Sequence, residues 1–181
     1  MERYHLEEID GKVHLKVIHD VYEKYASFIE TAFPKALGQV KLLAENFSIT
    51  IQVNIRVNID TIWEKWNEPQ SICQWYVATE TWHTPRAEND LRVGGKFSTR
   101  MEAKDGSFGF DFGGIYTIVE PRKRIEYTLE DGRKVQVHFT QENESVVITE
   151  SFEGEDENPY EMQRDGWQAI LNNFKKYIEG A

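Results

Sequence analysis

Between residues 48 and 57 apolar and polar side chains alternate without a break: Ile49, Ile51, Val53, Ile55 and Val57 fall on one side of an extended chain. A period of two marks a strand with one buried face. The period then lengthens. Asp60 is placed to cap a short helix carrying Ile62, Trp63 and Trp66, and Pro69 opens a second one with Ile72, Trp75 and Tyr76, since proline suits a first helical turn. Alternation returns in the segments 96–103, 108–119, 124–129, 134–140 and 145–152, separated by Asp105-Gly106, Glu120-Pro121, Asp131-Gly132 and Glu142-Asn143. Such punctuation predicts an antiparallel meander. An acidic loop over 153–158 runs into Pro159, and a long helix follows as far as Gly180. Its stripe of Gln163, Trp167, Ile170, Leu171, Phe174, Tyr177 and Ile178 has helical spacing, so one face must lie on something apolar. The meander is the surface large enough to receive it.

The pattern before residue 48 echoes the end of the chain. With Phe33 set on Trp167, Leu37 falls on Leu171, Val40 on Phe174 and Lys41 on Lys175. After a one-residue gap, Val13, Leu15 and Val17 fall on Val146, Ile148 and Glu150, behind an Asp10-Gly11 turn. Two readings stand side by side: residues 1–46 are the tail of a truncated first copy, or any amphipathic helix behind a strand would look the same. Pro34 stands where the C-terminal helix has Gln168, so a helix here is expected to start, kink or break. A piece lacking most of its sheet cannot cover its own apolar face and must dock on the complete domain, residues 47–181, or on a second copy as a homodimer.

Composition narrows the options. With 181 residues the chain has room for one full domain and a fragment. No apolar run is long enough to span a bilayer and the first residues lead into no export signal, so membrane insertion is not expected and the expected location is cytoplasmic. Thirty-one acidic residues against 21 basic ones give a net charge of −10, which repels phosphate backbones and argues against nucleic acid as a partner. The single Cys73 offers neither a disulfide nor a metal pair. Five Trp, eight Tyr and ten Phe are more rings than an aliphatic core of this size would use, and rings can line a space.

The densest chemistry lies in "WHTPRAENDLRVGGKF", starting at Trp82. His83 reads either as a general base or ligand-orienting donor at a cavity mouth, or as a rim histidine bonded to a nearby carboxylate; no partner for proton transfer surrounds it. Arg86, Glu88, Asp90 and Arg92 alternate in sign, as a self-satisfied ion-pair network does. Gly94-Gly95 precedes a strand and lacks the longer glycine pattern of a phosphate loop. The stretch therefore reads as a connection turning into the sheet.

Strand parity assigns Phe97, Thr99 and Met101, then Phe108, Phe110 and Phe112, then Ile125, Tyr127 and Leu129 to the concave face, with Val135, Val137, Phe139, Val146, Ile148, Glu150 and Phe152 after them. A bulge at Gly113-Gly114 would shift that parity. Trp63, Trp66, Trp75, Trp82 and Trp167 are placed to close the ends. So many rings between a curved sheet and one helix are hard to close-pack, which points to a hollow. Glu150 is the polar candidate: inward it would need a proton or a donor, with Tyr127, Gln163 and the outward-facing Arg100 as possible partners, and a one-residue slip would turn it to solvent. No paired carboxylates, nucleophile with base, or metal cluster emerges, and no cofactor is expected.

Strand, two short helices, meander and long terminal helix is the order of the α+β helix-grip fold. "IDTIWEKWNEPQSICQWY" (starting at Ile59), the stretch from Trp82 to Val135 and "RDGWQAILNNFKKYIE" near the end resemble the activator of heat-shock-protein-ninety ATPase family, in its stand-alone bacterial branch within the SRPBCC superfamily. That superfamily includes START lipid-transfer domains and the birch pollen allergens. The resemblance covers about residues 47–181. It implies a sheet of about seven strands wrapped around the long helix with a cavity between them. Members of the superfamily bind lipids, hormones, flavonoid-like compounds and polyketides, and a few are cyclases or dehydratases. The first expectation is thus a hydrophobic small-molecule ligand, held by Trp66, Trp75, Trp82, His83, Phe97, Met101, Phe110, Phe112, Tyr127, Glu150, Gln163 and Trp167. The second is a chaperone partner, as the family name and its link to stress response imply, although residues 1–46 do not resemble the separate N-terminal domain of the eukaryotic activator. The third is a cyclase, dehydratase or hydrolase using Glu150 and His83.

Overall fold

The computed structural model describes residues 2–9, 12–45, 48–155 and 157–180. Two compact units divide the chain, Met1–Glu45 and Asn46–Ala181. In the first, β1 (Glu2–Ile9) pairs antiparallel with β2 (Lys12–His19), with Leu6 opposite Leu15 and Tyr4 opposite Val17. The expected Asp10-Gly11 turn lies outside the described residues. A single 3-10 turn, Glu23–Tyr25, leads into α1 (Ala26–Glu45). Pro34 neither starts nor breaks this helix, which continues past it. The proline removes one amide donor from the ladder, and the remaining backbone bonds of a twenty-residue helix carry it past the gap.

The second unit opens with β3 (Ser48–Ile55), whose Ile49, Ile51, Val53 and Ile55 are all buried. Two helices follow, α2 (Ile59–Asn67) and α3 (Pro69–Trp75). The cap of α2 is Asn58 rather than Asp60: the Asn58 Oδ1 accepts from the Thr61 amide at 2.9 Å, and Asp60 instead pairs with Arg122. Then come β4 (Trp82–Asn89), β5 (Lys96–Ala103), β6 (Gly109–Glu120), β7 (Arg124–Leu129), β8 (Lys134–Glu142) and β9 (Ser145–Glu153), and α4 (Tyr160–Glu179) ends the chain. The seven-stranded antiparallel sheet runs in the order β3-β9-β8-β7-β6-β5-β4. It curls around α4, whose Leu171, Phe174 and Ile178 are buried in the core together with Ile62 and Trp75 from the short helices. This is the α+β helix-grip arrangement.

The stretch beginning at Trp82 is corrected in part. Its first half is not a connection but the edge strand β4, and only the segment from Asp90 to Gly95 turns. Pro85 sits at the register shift between His83 and Arg86, and an edge is where a sheet tolerates a missing amide donor. The glycine pair earns its place by geometry: Gly94 has φ +78, and a Cβ on Gly95 would stand 2.0 Å from the Asp90 carbonyl. The bulge also falls elsewhere than expected. The β5–β6 register passes through Gly113 and Gly114 unbroken, and the extra residue is Thr117, between Tyr116 and Ile118 on β6 against β7.

Candidate functional site

The space between sheet and helix is walled by rings. Phe97 lies edge-on to Tyr127 at 4.8 Å between centroids and 5.2 Å from Tyr116. Trp167 stacks on Phe152 at 4.0 Å and meets the edge of Phe112 at 5.7 Å. Trp66 packs 5.1 Å from Trp75, against Phe174. Two hydrogen bonds hold the segment Tyr76-Val77 at the end of α3. Thr84 on β4 donates to the Tyr76 carbonyl at 2.6 Å, and Asn173 on α4 donates to the Val77 carbonyl at 2.6 Å.

What remains open is a cavity of about 50 Å³, lined by Trp66, Phe97, Phe112, Tyr127, Glu150 and Trp167 together with Tyr76, Asn89, Thr99 and Tyr116. That is room for one or two waters, each needing about 30 Å³, far less than the roughly 300 Å³ at which small-molecule sites begin. Some of the expected rings form the lining and others do not, and the hollow is smaller than their number suggests because edge-on packing fills most of it. The exposed Glu88 also belongs to the lining, which places the mouth at the end of β4. Asn89 bars it, donating to the Asn67 carbonyl at 2.7 Å and accepting from the Tyr116 hydroxyl at 2.8 Å. A larger depression of about 530 Å³, between Arg56, Lys65 and Glu179, is a surface groove apart from this lining.

Glu150 faces inward, only 6% exposed, with Ile51 and Val137 as its strand neighbours. The Tyr127 hydroxyl donates to its Oε1 at 3.3 Å. Burial raises the carboxyl to about 7, against the pull of that hydrogen bond. Burial likewise pushes the Tyr127 and Tyr76 phenols well above their ordinary value, and the nearby Glu150 adds to it. The wall therefore presents phenols that stay protonated and a carboxyl poised between its two forms at neutral pH.

Other expected residues sit elsewhere. Trp75 and Met101 are buried, Trp75 in the cavity wall. Trp82 joins Phe108 and Phe110 in a partly exposed cluster, 6.1 and 5.9 Å from their rings, and does not line the cavity. Phe108 and Phe110 are 63% and 39% exposed, so at this end of the β5–β6 hairpin inward parity does not bring burial. His83 is about half exposed, 3.6 Å from Glu102, and lies outside the cavity lining. Gln163 is occupied in the acidic loop, donating to the Glu155 carbonyl and accepting from the Glu155 amide, both at 2.8 Å. Arg100 keeps its outward parity and pairs with Glu102 and Asp111. Tyr76, Asn89 and Tyr116 are additions; the alternation of β6 pointed to Tyr116, and no pattern marked Asn89. Among the described residues no group of three metal-ligating side chains forms.

Fold and cavity define a helix-grip, START-like protein. The family model for activator of Hsp90 ATPase homolog 1-like proteins matches residues 56–179, and the chain belongs to that family. It is similar to a solved AHSA1-like protein of Aeromonas hydrophila, with 42% identity and a TM-score of 0.71 over 74% of this chain and 93% of that one. It is also similar to a solved protein of Cytophaga hutchinsonii, with 50% identity and a TM-score of 0.66 over 74% of this chain and 92% of that one. A Chromobacterium violaceum protein at 21% identity, with a TM-score of 0.66 over 74% of this chain and 98% of that one, shares the fold. Comparison with curated proteins gives no match. The family and fold support a ligand-binding or Hsp90-activator-like protein, and a fold by itself names no ligand.

Proposed function

We propose that the C-terminal unit binds an apolar or aromatic small molecule, lipid or polyketide-like, in the cavity between sheet and helix. The observation that carries this reading is a ring-lined interior holding a buried carboxyl that its one tyrosine bond, at 3.3 Å, satisfies only in part. A packed structural core has no use for such a group. Because the cavity is closed down to about 50 Å³, binding requires the walls to part, and the Asn89 contacts at the mouth are the ones to break. Saturable quenching of tryptophan fluorescence by aromatic probes, with a co-purified small molecule seen in denaturing mass spectrometry, is the expected outcome. Neither appearing would remove the reading.

A chaperone-directed role is the second reading, favoured by the family match over residues 56–179. A pull-down with the purified heat-shock ATPase and a rate measurement decide it: no binding and no rate change end the idea. The enzymatic reading loses its acid–base pair, because His83 lies outside the lining that contains Glu150.

Residues 1–46 we assign to pairing of two copies. None of the described residues of that unit is buried, and β1 belongs to a two-stranded sheet, leaving its outer edge without a strand neighbour there. Antiparallel pairing of two β1 strands about Leu6 sets each His5 opposite the other copy's Glu7, whereas β2 would bring Lys12, His14 and Lys16 against their own kind. Light scattering on the full chain is expected to give the mass of a dimer, and a monomer at all concentrations would contradict the assignment.

A further inference from the structure

The polar part of the cavity wall is uniform in sign. Its ionisable members are carboxyls and phenols: Glu150 in the wall, Glu88 at the mouth, and Tyr76, Tyr116 and Tyr127. Among the described residues, lysine, arginine and histidine do not occur in the lining. An arriving anion would shed its water and meet acidic groups with no cation to pair with, a costly desolvation. A neutral ligand with a hydroxyl meets the reverse situation. A carboxyl oxygen pair has about four acceptor sites, and Tyr127 uses one of them through a bond at the long end of the range, 3.3 Å.

Resting on the reading of this cavity as a ligand site, we infer that it selects uncharged apolar or aromatic molecules bearing a hydroxyl donor, received by Glu150, and rejects molecules whose polar group is a carboxylate. Glu150 is the specificity-determining residue. Tyr127 from β7 donates to it and Tyr76 after α3 lies close enough to feel its charge, and the other titratable groups described in the same lining are Tyr116 from β6 and Glu88 from β4. None of them supplies a positive charge, but a protonated carboxyl can itself donate to an anion, so the preference belongs to the ionised form of Glu150. It strengthens as pH rises through the region where the carboxyl ionises, about 7.

The test uses the full chain and three probes of one shape: 2-naphthol, naphthalene and 2-naphthoate, followed by shifts of the tryptophan indole resonances at pH 7.5. Naphthol is expected to bind about ten-fold more tightly than naphthoate, with naphthalene between them. Glu150→Gln keeps the shape and removes the acid, and should shrink the naphthol-to-naphthoate ratio to about three-fold or less. Tyr127→Phe, which frees the Glu150 oxygen, should tighten naphthol and leave naphthoate weak, and it serves as the independent check should the first variant fold poorly. Equal binding of naphthol and naphthoate, or a ratio that Glu150→Gln does not change, overturns the selectivity while leaving cavity binding intact. Failure of all three probes removes the cavity reading itself, and the selectivity with it.

Discussion

Two stretches of this chain share one local grammar, a hairpin followed by a twenty-residue helix, and differ sharply in what they bury. Within the C-terminal unit, β8, β9 and α4 enclose Val137, Ile148, Phe152 and Phe174 completely. In the N-terminal unit, Leu6, Val13 and Phe28 are 72%, 69% and 68% exposed. Amphipathic periodicity supplies an apolar face in both cases. Only the C-terminal unit supplies the rest of the sheet and the helices that cover it. Local pattern decides which element forms, and the number of packed layers decides whether it is stable.

Deletion gives the largest effect. Removing residues 160–181 should abolish cooperative unfolding of the C-terminal unit, whereas removing residues 1–45 should change its unfolding free energy by less than about 1 kcal/mol and convert a dimer to a monomer. Chemical denaturation and light scattering read both outcomes; a large loss on deleting the N-terminal unit would break the contrast. Point substitutions sharpen it. Phe174→Ala, in the fully enclosed core, should cost about 3–5 kcal/mol, and Phe28→Ala, exposed, within about 0.5 kcal/mol of nothing in the monomeric state.

The buried acid gives the C-terminal unit a pH signature. Glu150 holds its proton more tightly folded, at about 7, than unfolded, near 4.5. Below 4.5 both states carry the proton and burial exacts no ionisation penalty. Between these values the native state binds more protons, so stability falls as pH rises, and above 7 the whole penalty is in place. Glu150→Gln should therefore stabilise the protein by an amount on the order of 3 kcal/mol at pH 8 and by little at pH 4.5. Denaturation midpoints at the two pH values check it, and equal gains would mean the carboxyl is solvated. The smallest effect concerns the α2 cap: Asn58→Ala should cost about 1 kcal/mol and Asp60→Ala less.

Much of this architecture is legible in the sequence because burial and alternation coincide there. In β3 and β9 every second residue is buried, and Glu150 takes the inward side that parity offered; the one-residue slip that parity left open is settled by the register with β3 and β8. The failures have physical causes. β4 is a polar edge strand containing a proline, so it carries no half-buried alternation to detect. Asn58 and Asp60 are both good caps, and what separates them is a distant partner, Arg122, which engages Asp60 while Asn58 takes the Thr61 amide. Trp82 and Phe110 pack on each other and on Phe108 in a partly exposed cluster, which neither ring content nor parity distinguishes from a wall of the cavity. Gln163 has the spacing of the buried stripe and is drawn instead to the backbone of the acidic loop. Cavity size was the least legible quantity. It depends on ring rotamers, and edge-on contacts such as Phe97 on Tyr127 close space that a count of rings leaves open.

A titration of the full chain with 2-naphthol, followed through the methyl resonances, tests the central claim most directly. Saturable shifts at Ile72, Ile125, Ile170 and Leu171, which line the cavity, with none at Leu15, Val17 or Ile18, are the predicted result. Shifts confined to the N-terminal unit, or no saturation anywhere, would contradict it.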